Sequence, residues 1–185
     1  TTSFAPLLAQ QSENEPQQTR QAQAISRAVY ERLQDAQGLS EAGDTSGAID
    51  ILDDLASSER LSDYERAYVL QLLGINHHNN GNTNTAINMY RAVLTLAELE
   101  PQVRKQNLYT LAQLLVVEER YQEASKAMHD WFVLEPNPAP TARVFDAQIH
   151  YQLNELDEMI GELRRAIEMA EARDVEAEEQ WYSLL

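Results

Sequence analysis

A small residue returns along this chain at a fixed interval, and that return restricts the fold more than any other feature. Ala48, Ala86 and Ala124 are spaced 38 residues apart. Each closes a polar phrase: Gly43-Asp44-Thr45-Ser46-Gly47, Gly81-Asn82-Thr83-Asn84-Thr85 and Glu119-Arg120-Tyr121-Gln122-Glu123. Four residues further on stand Leu52, Tyr90 and Met128, and 12 residues before each alanine stands another small residue, Ala36, Gly74 or Ala112. A period of this size marks a stack of supersecondary units, each with one apolar face that only its neighbour can cover. Packed helices lie about 8–10 Å apart, and Ala or Gly at the crossing lets the backbones approach while larger neighbours interlock. A large side chain forced into Gly74 or Ala124 is expected to cost roughly 1–3 kcal/mol.

Apolar residues between these points recur at three and four, the period of an amphipathic helix. Ala22, Ile25, Val29, Leu33, Ala36 and Leu39 share one face of a helix that starts near Gln18 and stops at Gly43. Asp44 or Thr45 can cap the next helix, which carries Ala48, Ile51, Leu52 and Leu55. The second pair runs over about Ser62–Asn79 and Thr83–Leu96, with Leu70, Leu73, Gly74 and His77 inward and Gly81 as a left-handed cap. The third opens on Pro101, suited to a first helical turn. It turns Leu108, Leu111, Ala112 and Leu115 inward against Ala124, Ala127, Met128 and Trp131. Pro136, Pro138 and Pro140 form a stiff connector. A fourth, more divergent pair carries Ala147, Tyr151, Ile160, Leu163 and Ile167, with Met159 in the alanine position, 35 residues after Ala124. Asp174 then caps a last helix bearing Trp181, Tyr182, Leu184 and Leu185. The expected organisation is a tail over 1–17, helix pairs over 18–58, 62–98, 101–135 and 139–172, and a terminal helix over 174–185.

Composition sets the function classes. With 43% hydrophobic residues a core can form, and Leu, Ala, Glu and Gln favour helix. The formal charge is −16, opposite to what phosphate binding needs and unsuited to anionic lipid. Acidity serves solubility, or attracts a basic partner. The absence of cysteine excludes disulfides and zinc–thiolate sites. No apolar run approaches the ~20 residues of a membrane span. The start, Ser3-Phe4-Ala5-Pro6-Leu7-Leu8-Ala9-Gln10, reads as the end of a secretory leader or as an unstructured lead-in. No phosphate loop, nucleophile motif or dinucleotide fingerprint is present, so no enzyme activity and no cofactor are expected.

The pattern resembles the tetratricopeptide repeat family over about residues 23–185. Leu70, Leu73, Gly74, Ala86 and Tyr90 carry the resemblance in the second repeat, and Leu108, Leu111, Ala112, Tyr121, Ala124 and Pro136 in the third. The family's period is about 34 residues; the excess of four is close to one turn of 3.6 residues, which lengthens a helix without rotating its stripe. The resemblance implies an all-α, right-handed superhelical array of antiparallel helix pairs. A narrower similarity lies in Leu39-Ser40-Glu41-Ala42-Gly43-Asp44, Leu61-Ser62-Asp63-Tyr64-Glu65-Arg66-Ala67, Thr110-Leu111-Ala112-Gln113-Leu114, Trp131-Phe132-Val133-Leu134-Glu135-Pro136-Asn137-Pro138 and Glu179-Gln180-Trp181-Tyr182-Ser183-Leu184-Leu185. These phrases resemble bacterial periplasmic tetratricopeptide proteins associated with TonB-type energy-transduction systems. That similarity implies a scaffold in the periplasm with protein partners among TonB-type components and only indirect membrane contact. In such relatives the sequence continues past Trp-Tyr-x-Leu-Leu into another repeat, which implies that this chain is part of a longer one. The rival expectations are a pilus or outer-membrane assembly helper, and a regulatory repeat domain of a larger enzyme or signalling protein; the alternative location is the cytoplasm.

Carried over residue by residue, the family's groove positions are Tyr30, Leu33, Gln37 and Ser40, then Tyr68, Gln71, Ile75, His78 and Asn79. Gln106, Tyr109, Gln113 and Val116 follow, then Val144, Gln148, Tyr151 and Gln152. The row is rich in aromatic and amide groups and nearly free of charge, which suits an extended peptide: rings supply area and amides bond its backbone. It lacks the Lys and Arg of a carboxylate clamp. His77 and His78 are adjacent, so on a helix they point about 100° apart and cannot chelate one ion; His77 is expected inside and His78 in the groove. His129 and His150 have no helix-spaced His partner, so no metal is expected. Glu171, Asp174, Glu176, Glu178 and Glu179 read as a solvated helix face or as a dock for a basic partner. The apolar end, Trp181 to Leu185, either folds back on the fourth pair or offers a surface for homodimerisation.

Overall fold

In the computed structural model, residues 25–173, 179–183 and 185 are described. The helices are α1 Arg27–Glu41, α2 Thr45–Ala56, α3 Asp63–Asn79, α4 Thr83–Leu94, α5 Pro101–Val117, α6 Tyr121–Leu134, α7 Pro140–Gln152, α8 Leu156–Ala172 and α9 Glu179–Ser183. Among the described residues there is no strand. From α1 to α8 each helix packs on the next in sequence, most closely within the pairs α1–α2, α3–α4, α5–α6 and α7–α8; α6 on α7 is the loosest joint between repeats. The result is a stack of four helix pairs, each a repeat.

The turn inside every repeat has one construction. The first helix ends on a residue with positive φ: Gly43 at 86°, Gly81 at 78°, Glu119 at 55° and Asn154 at 60°. Around each, two backbone bonds close the helix, the outer ones being Asp44 N–H to Leu39 O, Asn82 to His77, Arg120 to Leu115 and Glu155 to His150, all 2.8–2.9 Å. This paired closure satisfies the carbonyls that a helix end leaves open. Gly43 and Gly81 fit because a missing Cβ makes the left-handed region accessible. Glu119 and Asn154 adopt the same backbone without that freedom. Asp44 then caps α2 by accepting from Gly47 N at 2.9 Å.

The recurring small residues lie at the crossings. Ala36, Ala48, Gly74, Ala86, Ala112 and Ala124 are all buried. A Cβ on Gly74 would lie 2.6 Å from Cε2 of the Tyr90 ring, so this glycine makes room for a ring where the first, third and fourth repeats carry Leu52, Met128 and Leu163. In the fourth repeat Ala147 keeps the small position on the first helix, while Met159 fills the alanine site and is itself buried.

Between repeats, polar contacts add to the apolar packing. The Arg66 guanidinium donates to Ala56 O at 2.8 Å and Ser58 O at 2.7 Å, and Arg104 donates to Leu94 O at 3.1 Å and Leu96 O at 3.4 Å. Each arginine thus caps the C-terminus of the preceding helix, where carbonyl oxygens gather partial negative charge. Glu65 closes a capping box with Ser62 and also accepts the Ser26 N–H at 2.9 Å, joining the starts of α1 and α3. Burial pushes the Glu65 carboxyl up, but hydrogen bonds from Ser26 and Ser62 outweigh it and hold it below the usual range. Arg143, packed 3.8 Å over the Phe132 ring, pairs with Glu162 at 3.0 Å and so links α6 to the fourth repeat.

The core falls into three apolar clusters. One spans α1, α2 and α3; a second spans α4, α5 and α6 and takes Ala142 and Ile149 from α7; a third joins Val144 and Ala147 of α7 to α8 and Trp181.

Several boundaries differ from those expected. The described part of α1 begins at Arg27 rather than near Gln18; Ala22 and the 1–17 tail lie outside the described residues. Helix α4 ends at Leu94 instead of Leu96, where the Thr95 hydroxyl bonds back to Ala92 O at 2.7 Å and Arg104 takes the Leu94 carbonyl. Pro140 is the first residue of α7, not part of the connector. Asp174, Glu176, Glu178 and Leu184 lie outside the described residues, and the terminal helix covers Glu179–Ser183. Trp181 folds back onto the fourth repeat, while Tyr182 and Leu185 are exposed.

Candidate functional site

Polar bridges join the first helices of the first three repeats. Ser40 Oγ donates to Asn76 Oδ1 at 2.9 Å, from α1 to α3. Gln71 Nε2 donates to Asn107 Oδ1 at 3.4 Å, from α3 to α5. Both asparagines are buried, and each passes a bond inward: Asn76 to Leu72 O at 2.9 Å and Asn107 to Tyr90 O at 2.7 Å. A buried amide left without partners costs about 1–3 kcal/mol, so these four groups fix the register of α1, α3 and α5.

The residues expected to line a groove separate into three kinds. Tyr30, Tyr68, Ile75 and Tyr151 are open to solvent, at 52%, 40%, 44% and 59% exposure. Gln37, His78, Asn79, Gln106, Gln113, Gln148 and Gln152 are exposed as well; Gln37 donates to Glu41 at 2.9 Å, and His78 Nδ1 lies 3.3 Å from Thr83 Oγ1. A second set serves packing instead. Leu33 and Val144 are core residues, because their positions face the partner helix of their own pair. Ser40 and Gln71 are half-buried and engaged by the asparagine bridges. Tyr109 is half-buried, its ring centroid 5.1 Å from Trp131 and 5.6 Å from Phe145, and burial raises its hydroxyl pKa.

A third set meets at a cavity. Val116, Gln148, Tyr151 and Gln152 line a space of about 230 Å³ together with Tyr121, Phe145, Ala147, Ile149, Met159 and Leu163. It sits between the third and fourth repeats, where Met159 replaces alanine and the period shortens to 35. A cavity of about 150 Å³ already admits a benzene ring, so this one takes a large apolar side chain. The two glutamine amides supply both donors and acceptors.

The turns on either side are acidic. Glu118 and Glu119 follow Val116–Val117, and Glu155, Asp157 and Glu158 precede Met159. Behind the cavity, His150 Nδ1 meets Glu155 at 2.6 Å and its Nε2 lies 3.8 Å from Asp146. Burial pushes the Asp146 carboxyl up to about 6, with His150 pulling it down and Glu162 pushing it further up.

His77 is half-buried with a buried Nδ1 that has no hydrogen-bond partner, matching the inward placement expected of it. Among the described residues no three His, Asp or Glu side chains converge as a metal would require, and no helix is long and apolar enough to cross a membrane. Sequence reading missed the Arg66 and Arg104 caps, although their own 38-residue step was a usable signal. It also missed Tyr121 and Phe145 as cavity walls, which follow only from how the third and fourth repeats meet.

No family model matches the chain, and no curated protein matches it in sequence. Solved structures do match. MamA (residue 41 to the end) from Desulfovibrio magneticus RS-1 is 17% identical with a TM-score of 0.63, over 79% of this chain and 77% of that one. A tetratricopeptide repeat protein from Parabacteroides merdae is 15% identical with a TM-score of 0.65, over 79% and 55%. Kinesin light chain TPR-like repeats from Podospora anserina are 13% identical with a TM-score of 0.65, over 85% and 82%. At such identities the likeness is one of architecture, and the chain has an all-α fold of the tetratricopeptide-like solenoid type.

Proposed function

We propose that this chain is a non-enzymatic scaffold that holds a segment of another protein against its first-helix layer. The observation that carries this reading is the meeting of four groove positions, Val116, Gln148, Tyr151 and Gln152, at one apolar cavity. That cavity lies on the same layer as the exposed Tyr30, Tyr68 and Ile75. An apolar pocket with a few polar groups at its edge is the usual form of a recognition site, and exposed rings supply contact area at low entropic cost. The narrower proposal is a periplasmic adaptor for TonB-type transport, supported by the sequence phrases from Leu39 to Asp44 and from Trp131 to Pro138.

Photo-crosslinking in cells tests both levels. A crosslinking amino acid at Tyr68 or Gln148 should capture a protein, whereas the same group at Asp50, exposed on a second helix, should not. Equal capture at all three positions would remove the groove reading. Recovery of TonB-type components supports the narrower role; pilus or outer-membrane assembly proteins would replace it.

A further inference from the structure

The surroundings of the cavity say what kind of segment fits. Its deeper walls, Phe145, Ile149, Met159 and Leu163, are apolar. The turns that flank it carry acid without matching base. Glu119, Asp157 and Glu158 are exposed and form no ion pair among the described residues. The one arginine of the first turn, Arg120, is engaged by Glu123, and His150 by Glu155. The chain as a whole carries −16, so the wider field has the same sign.

Resting on the groove reading, we propose that this cavity anchors a single large apolar side chain borne by an extended, basic segment of a partner protein. The apolar side chain supplies the affinity by leaving water. Lysine or arginine on either side meets the acidic turns, which favours encounter and rejects acidic segments. The amides of Gln148 and Gln152 hydrogen-bond the extended backbone between these contacts.

Three dye-labelled peptides test this by fluorescence anisotropy on the whole chain: Lys-Gln-Phe-Gln-Lys, Lys-Gln-Ala-Gln-Lys and Glu-Gln-Phe-Gln-Glu. The first should bind ~10–100-fold tighter than the second, the factor expected from burying one phenyl group. Its affinity should fall with added salt, and the acidic peptide should bind ~10-fold more weakly or worse. Gln148→Trp and Gln152→Trp, at exposed positions beside the cavity, should each abolish the preference for Phe over Ala while circular dichroism stays native. Binding that both variants leave intact but Tyr68→Ala weakens would overturn the anchor and keep the groove. Equal binding of the Lys and Glu peptides would overturn the choice of a basic segment. No binding of the first peptide at about 1 mM would overturn the inference, while the crosslinking experiment decides the groove independently.

Discussion

Replacing Glu119 by glycine should stabilise this protein, although the change removes a side chain and adds none. Glu119 sits at φ 55° in the turn that joins α5 to α6. The left-handed conformation costs a residue with a Cβ roughly 1–2 kcal/mol, and glycine escapes that cost. Against this, glycine loses more freedom on folding, roughly 0.5–1 kcal/mol relative to alanine. The Glu119 side chain is exposed and makes no ion pair among the described residues, so little else is lost. The net gain is about 0.5–1 kcal/mol, a rise in Tm of about 1–4 °C for a chain of this length. Gly81→Ala is the mirror experiment. It occupies the equivalent turn at φ 78°, and an added Cβ meets nothing within 4 Å, so only backbone strain acts. It should lose about 1 kcal/mol. Urea midpoints for both variants and the parent, at unchanged m-value, measure the difference. A lower midpoint for Glu119→Gly, or no loss in Gly81→Ala, would refute the claim that these turns share one strained geometry.

Three further outcomes follow from particular contacts. Gly74→Ala should cost about 1–3 kcal/mol by overpacking against the Tyr90 ring; adding Tyr90→Leu, the pairing used by Ala36 with Leu52, should recover part of it in a double-mutant cycle. Glu65 is held below its unfolded pKa, so its contribution is present at neutral pH and lost as pH falls through the folded value. Glu65→Gln should therefore destabilise by about 1–3 kcal/mol near neutral pH, with a smaller gap to the parent in urea melts in strong acid. Asp146 behaves in the opposite sense. Its folded pKa of about 6 exceeds the ordinary 3.8, so the folded state binds its proton first and stability declines as pH rises between those values. Asp146→Asn should flatten that decline, and a slope left unchanged in pH-dependent melts would exclude Asp146 as its source.

The stack was legible in the sequence because small side chains at a crossing let two helix backbones approach closely. Ala36, Ala48, Gly74, Ala86, Ala112 and Ala124 therefore record the crossings directly. The third and fourth turns were less legible. Gly43 and Gly81 advertise a left-handed backbone, but Glu119 and Asn154 adopt it only because the preceding helix end is closed by the same two bonds. Of the row expected to line a groove, Tyr68 and Gln148 lie at the surface, whereas Leu33 and Val144 lie in the core. Those two lie at the edge between layers, where a shift of one position moves a side chain from solvent to core. The cavity was not legible as a cavity: it depends on the distance between the third and fourth repeats, which no local pattern encodes.

The division of the core into three clusters sets how this chain comes apart. Helix α7 is shared: Ala142 and Ile149 face the third repeat, Val144 and Ala147 face α8, and the joint of α6 on α7 is the loosest between repeats. Loosely coupled units open separately. Amide exchange on α8 should then proceed by a fluctuation that leaves α5 and α6 protected. A side chain seated in the cavity would touch Val116 and Tyr121 on one unit and Met159 and Leu163 on the other. Occupancy would weld the two, slowing exchange across α8 without adding a single bond inside it.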